Sequence, residues 1–247
     1  MQFGAITLFP ELLDAFLAAG VIGRAVEQNK IDVKLYNPRD FTADKHRTVD
    51  DRPFGGGPGM LMKPEPLIAA IGAAKKDMPL AKTVYLSPQG TVLTQAKVRT
   101  WQRTDGIILV AGRYEGIDDR VIQSHIDEEV SIGDYVLSGG EVAAMVVIDA
   151  VTRLVPDVLG HPLSAQEDSF GEDGLLDCPH FTRPERLGDS TVPGVLLSGD
   201  HQAIALWRRQ MALKRTSERR PELLANASLT EADKAYLDSL ANELKKG

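Results

Sequence analysis

Arg153 ends a long, apolar-faced segment, and Ser164, Glu167, Asp168, Ser169, Glu172, Asp173 and Asp177 follow it closely. A carboxylate ordered beside a substrate acts as a general base, and a guanidinium stabilises the negative charge left when a proton departs. The same acids in a polar connecting stretch only keep it soluble, and residue type alone leaves both readings open. Metal chemistry is poorly supported, because His46, His125, His161, His180 and His201 are scattered, with no His-x-x-x-His or Cys-x-x-Cys spacing. The chain has no Gly-x-Ser-x-Gly elbow, which disfavours a serine hydrolase. Its one cysteine, Cys178, has no identifiable base beside it.

A second kind of chemistry is carried by backbone. Four glycine-bearing stretches stand out: Asp50-Asp51-Arg52-Pro53-Phe54-Gly55-Gly56-Gly57-Pro58-Gly59-Met60, then Tyr85-Leu86-Ser87-Pro88-Gln89-Gly90, Gly112-Arg113-Tyr114-Glu115-Gly116 and Ser131-Ile132-Gly133-Asp134-Tyr135-Val136-Leu137-Ser138-Gly139-Gly140. None is a Walker loop, and none matches Gly-x-Gly-x-x-Gly. Each alone is explained by the steric needs of a turn. Three of them, however, follow strand-like runs, an arrangement expected at the carboxyl edge of a parallel sheet, where ligands bind.

The elements that must hold these segments alternate. Residues 3–9, 31–36, 82–87, 106–111 and 129–137 read as strands, and the run at 106–111 is apolar enough for a buried parallel strand. Helical periodicity covers 64–76, 94–103, 118–126 and 140–154, and a helix opens at Pro10 with Leu12, Leu13, Phe16 and Leu17 on its apolar side. This order predicts an α/β domain over 1–159, a mostly parallel sheet with helices on both faces. Residues 160–176 read as a mobile linker, rich in small and acidic residues. Residues 177–247 read as a small helical domain, with Asp200 capping a helix to about Arg219 and Thr230 with Asp233 opening a last one.

Composition sets bounds on the partner. The 247 residues carry a net charge of −7, a mild argument against nucleic acid, yet Arg208, Arg209, Lys214, Arg215, Arg219 and Arg220 gather on one helix. Such a helix is either an RNA-facing surface or a solvated face. The lone cysteine and the lack of a basic leader point to the cytoplasm, and no apolar run is long enough to span a membrane.

Taken together, Gly112-Arg113-Tyr114-Glu115-Gly116-Ile117-Asp118, the stretch from Ser131 to Glu141, Asp168-Ser169-Phe170 and Gly174-Leu175-Leu176-Asp177-Cys178-Pro179-His180 resemble the bacterial tRNA (guanine-N1)-methyltransferases. The loop from Asp50 to Met60, Leu196-Leu197-Ser198-Gly199 and Arg219-Arg220-Pro221-Glu222-Leu223-Leu224 extend the resemblance over nearly the whole chain. Departures are small: Phe54 and Phe181 stand where tyrosine is usual, and Ala143 and Gly194 where proline is.

The resemblance implies methylation of the guanosine immediately 3′ of the anticodon. It also implies a SPOUT-type fold, with a parallel sheet, a deep trefoil knot and a small all-α C-terminal domain. It implies S-adenosylmethionine (SAM) as methyl donor, wrapped by Tyr85, Leu86, Ser87 and Pro88, by Gly112, Tyr114, Glu115 and Gly116, and by Ser131, Ile132, Gly133, Asp134, Tyr135, Val136, Leu137, Gly139 and Gly140. Asp168 would be the general base and Arg153 its partner at the guanine O6. Asp50, Ser164, Asp177, Arg208, Arg209, Lys214 and Arg215 would meet the tRNA. The active site would be shared across a homodimer, with Asp168 arriving from the partner subunit. Magnesium dependence is implied too, though no ligand set for it is legible. Against this stand two other readings, a SPOUT methyltransferase of another RNA site and a non-catalytic RNA- or SAM-binding module. The presence of both Asp168 and Arg153 disfavours the second.

Overall fold

A strand that is apolar at every position folds stably only if both its faces are covered. In a computed structural model, which describes residues 1–160 and 168–244, the apolar run at 106–111 lies at the centre of a five-stranded parallel sheet. The chain divides into two units, Met1–Gly160 and His161–Gly247.

In the first unit the strands are β1 (Gln2–Ile6), β2 (Asp32–Tyr36), the short pair β3 (Asp50–Asp51) and β4 (Leu61–Met62), β5 (Lys82–Val92), β6 (Gly106–Ala111) and β7 (Glu128–Ser131). The helices are α1 (Pro10–Leu17), α2 (Gly20–Glu27), α3 (Pro64–Asp77), α4 (Gln95–Gln102), α5 (Asp119–His125) and α6 (Glu141–Thr152). The main sheet has the order β2-β1-β6-β5-β7, parallel throughout. Alternate residues serve opposite cores. Val84, Leu86, Ile107 and Leu109 meet Leu13, Ile22, Trp101 and Val147 from α1, α2, α4 and α6. Tyr85, Ile108 and Val110 meet Leu67, Ile71 and Val121 from α3 and α5. The period-two pleat therefore explains why an unbroken apolar run was needed, and the expected α/β architecture is present.

Three local departures from the sequence reading have clear causes. β1 stops at Ile6 rather than at Phe9, because the Thr7 hydroxyl accepts from Phe9 N at 3.0 Å and turns the chain. β7 stops at Ser131 rather than at Leu137, because Gly133 has φ +148° and its N–H goes to Ser131 Oγ at 3.1 Å. α2 has no sequence marker, since its N-cap Ala19 offers no side-chain hydrogen bond. The turn expected at 88–90 exists in another form: β5 continues past it, but its ladder to β7 skips from Leu86 to Thr91, so the intervening residues leave the sheet.

The second unit holds a two-stranded antiparallel hairpin, β8 (Arg186–Leu187) and β9 (Ser190–Thr191), with helices α7 (His201–Arg219) and α8 (Glu231–Leu244). The all-helical expectation is corrected by that hairpin. Asp200 caps α7 by accepting from Gln202 N and Ala203 N. Thr230 and Asp233 form the reciprocal capping box at α8: Asp233 N donates to Thr230 Oγ1 at 3.2 Å, and Thr230 N to Asp233 Oδ2 at 2.8 Å. Within the stretch read as a linker, residues 168–176 are turned, with Phe170 N donating to Leu175 O at 2.8 Å and Leu175 buried. Ser164 and the other linker residues at 161–167 lie outside the described residues. No described helix is long and apolar enough to cross a membrane.

Candidate active site

β6, β5 and β7 are adjacent, so their carboxyl ends open side by side. There the three glycine-bearing loops converge on one cleft of about 190 Å³. Tyr85, Leu86, Ser87 and Pro88 supply one wall, and Gly112, Tyr114, Glu115 and Gly116 a second. The third comes from Ser131, Ile132, Gly133, Tyr135, Val136, Leu137, Gly139 and Gly140. Of the residues expected around a donor, Asp134 alone does not line it.

The loops approach at backbone distance. Gly140 N donates to Gly112 O at 2.9 Å, and a Cβ built on Gly140 would lie 2.7 Å from Ala111 Cα. A Cβ on Gly139 would fall 2.2 Å from Arg113 Nε. No side chain fits at Gly140 between these strand ends, so the two loops meet through main chain there. Tyr135 N donates to Gly133 O at 2.9 Å, closing a tight turn on the cleft rim. Tyr85 is buried against the cleft floor, and burial, with Glu129 nearby, pushes its hydroxyl pKa above the ordinary tyrosine value.

Below the cleft lies a buried brace that the sequence reading left unassigned. Glu141, in the first turn of α6, is 1% exposed. Its Oε1 accepts from Thr7 Oγ1 at 3.0 Å, and its Oε2 lies 2.8 Å from Arg113 Nε. The latter contact is an ion pair without hydrogen-bond alignment. Arg113 also donates to Ser138 O at 3.2 Å and stacks over the Phe9 ring at 4.4 Å. One carboxylate thus ties Thr7, just past β1, to the 112–116 loop, whose Arg113 reaches on to the 131–140 loop. Arg113 and Ser138 also line the cleft. Arg113, Ser138 and Glu141 sit inside stretches on which the family resemblance rests, but nothing in the sequence joins them to Thr7.

The proposed base and its partner fall in different units. Arg153 is the C-cap residue of α6. Asp168 lines a groove of about 420 Å³ in the C-terminal unit with Asp177, His180, Arg208 and Arg209.

Over residues 1–226 the chain matches the family model described as tRNA (Guanine-1)-methyltransferase TrmD. It belongs to that family. A tRNA (guanine-N(1)-)-methyltransferase of Pseudoalteromonas atlantica is 59% identical over 243 residues, 98% of this chain and 91% of the relative. Proteins of the same name from Marinomonas sp. and Shewanella frigidimarina are 56% and 57% identical, covering 98% and 100% of this chain and 97% and 99% of their own lengths.

In this TrmD-family chain the expected tRNA contacts divide by what already holds them. The Arg209 guanidinium donates to both oxygens of Asp233, at 3.1 and 2.9 Å, and also engages Asp173 and the Ser228 carbonyl. Its hydrogen bonds hold the Asp233 carboxyl down at about 2. Arg215 donates to Asp177 O at 3.3 Å, and Lys214 lies 4.0 Å from Glu218. Arg208 is exposed. Asp177 Oδ2 lies 2.7 Å from His180 Nε2. Asp50 accepts from Tyr114 OH at 3.4 Å, which places it behind a wall of the cleft in the N-terminal unit.

Proposed function

We propose that this protein transfers a methyl group from SAM to N1 of the tRNA guanosine immediately 3′ of the anticodon. The observation that carries the reading is the meeting of residues 85–88, 112–116 and 131–140 in one cleft, in a chain of the tRNA (guanine-1)-methyltransferase family. The cleft suits the donor. Leu86, Ile132 and Leu137 offer apolar surface for a purine face, main-chain groups offer partners for its edges, and Glu115 offers a carboxylate for its positive end. The close packing of Gly140 on Ala111 and Gly112 supports reading the loops as the crossing of a trefoil knot.

Guanine N1 carries a proton and is a poor nucleophile until that proton leaves. Asp168 accepts it. Negative charge then spreads to O6, where Arg153 stabilises it through charge-assisted hydrogen bonds. The bound donor supplies a sulfonium methyl that needs in-line approach and no acid. The N1 lone pair would take that methyl as the carbon–sulfur bond breaks, its electron pair staying on sulfur and leaving a neutral thioether.

Asp168 acts on the cleft of a partner subunit, so the working form is a homodimer. The surface of the first unit supports this. Val142 and Val146, one turn apart on α6, are 52% and 41% exposed, and Leu12 on α1, a helix packed against α6, is 42% exposed. Val136 on the cleft rim is 84% exposed. Apolar side chains grouped this way mark a protein interface. Magnesium has no fitting site among the described residues. Among the described residues, the grouping close enough to share an ion is Asp177, Cys178 and His180, and a thiol with an imidazole is not the oxygen set this cation takes.

The test is to map the modified nucleotide in unmodified tRNA incubated with the protein and labelled SAM. Label on guanine N1 next to the anticodon is expected. Label on another base, or on a ribose 2′-oxygen, overturns the reading.

A further inference from the structure

A second groove of the C-terminal unit, of about 550 Å³, has no part in the chemistry above. Phe181 and Trp207 form an aromatic wall, with ring centroids 6.2 Å apart and planes at 54°. Both stay accessible: Phe181 is 46% exposed and Trp207 is half-buried. Arg183 and Arg208 stand at the rim, and among the described residues neither forms an ion pair. In this they differ from Arg209, whose charge is spent on Asp173 and Asp233. Glu185 also lines the groove, with Leu196, Leu197 and Ile204 among its apolar surface.

We propose that this groove holds an unstacked nucleobase of the substrate RNA other than the guanine that is methylated; the inference rests on the tRNA-methylating function argued above. Single-stranded RNA is bound by stacking its splayed bases on aromatic rings and guanidinium planes while cations take the phosphates. The groove has both components. Glu185 distinguishes a base from a phosphate, because a carboxylate repels the phosphate and accepts from a base N–H edge. The groove also continues from the one containing Asp168, with His180 and Arg208 lining both. A strand that presents its guanine at Asp168 carries another nucleotide along α7 past Arg208 to Trp207.

The experiment compares Trp207→Leu, Trp207→Phe and Arg183→Ala in the full-length protein. Binding of unmodified tRNA transcript is measured by filter retention, and SAM binding by calorimetry. Trp207→Leu should weaken tRNA binding by about 10- to 100-fold, with the loss in KM for tRNA rather than in kcat. Trp207→Phe, which keeps a stacking face, should restore most of it, and SAM affinity should stay at the wild-type value in every variant. Arg183→Ala should weaken binding less and reduce its salt dependence. The proposal is overturned if Trp207→Leu binds tRNA as the wild type does, or if Trp207→Phe fails as badly as Trp207→Leu. A change in oligomeric state on sedimentation with unchanged tRNA binding also overturns it, and assigns the groove to contact between copies of this chain. Methyl transfer by the wild-type protein is run in parallel. Its absence refutes the functional reading, whereas its presence with unaffected variants refutes only the groove.

Discussion

The cleft of the N-terminal unit is formed by loops that touch through glycines, and the grooves of the C-terminal unit by side chains of a turn, an irregular stretch and a helix. In the first, glycines let strand ends touch, and a buried carboxylate clamps them from below. In the second, Asp168, Arg208, Phe181 and Trp207 project from a turn and a helix into open grooves. Closely packed loops suit a ligand that is always the same, while projecting side chains suit a large polyanion and a proton transfer. The difference predicts which kind of substitution harms which property.

The largest effect should fall on chemistry alone. Asp168→Asn should lower kcat about 10²- to 10⁴-fold while SAM binding is unchanged. Single-turnover methylation at saturating tRNA, with calorimetry for SAM, checks both, and normal turnover would refute the general-base role. Next comes the cleft. Gly140→Val must move backbone at Ala111, so it should cost roughly 3 kcal/mol, at the upper end for overpacking, and weaken SAM binding in parallel. Thermal melting and calorimetry should show the two losses together; loss of one without the other would break the link between backbone packing and donor binding.

Two neighbouring arginines sharpen the comparison within the C-terminal unit. Arg209→Ala strands Asp233, which is 5% exposed, and should destabilise that unit by about 3 kcal/mol in urea unfolding. Arg208→Ala should leave unfolding unchanged and reduce the salt slope of tRNA binding by about 1. Equal effects of the two would show that neither is specialised. The smallest effect is on acid stability. The Asp233 carboxyl sits at about 2 when folded and near about 3.9 when unfolded. Its contribution is therefore complete above about pH 4 and fades as the pH falls towards 2. Acid titration of the unfolding free energy should show this loss in the wild type and not in Asp233→Asn.

Much of this was readable in the sequence, for definite reasons. The apolar run at 106–111, set between helix-like segments, reads as a central parallel strand, since helices on both faces of such a sheet cover it. Asp200 and the Thr230–Asp233 pair mark their helix starts, because capping is a local interaction between residues two or three apart. The glycine-bearing loops were legible as a group, and the family resemblance rests on them. Asp134 does not line the cleft, because a loop residue's neighbours in sequence do not set which way it faces.

What remained was decided only by distant parts of the chain meeting. Glu141 and Thr7 are 134 positions apart, so nothing local marks a buried carboxylate as the clamp of a cleft. The four basic residues at 208, 209, 214 and 215 look alike in sequence, and only α8 and the 173 turn show that Arg209 is spent inside the fold. Local composition determined the strands, the caps and the chemistry available. Tertiary structure decided which charges are consumed and which face outward, because desolvation and pairing depend on neighbours that the linear order does not reveal.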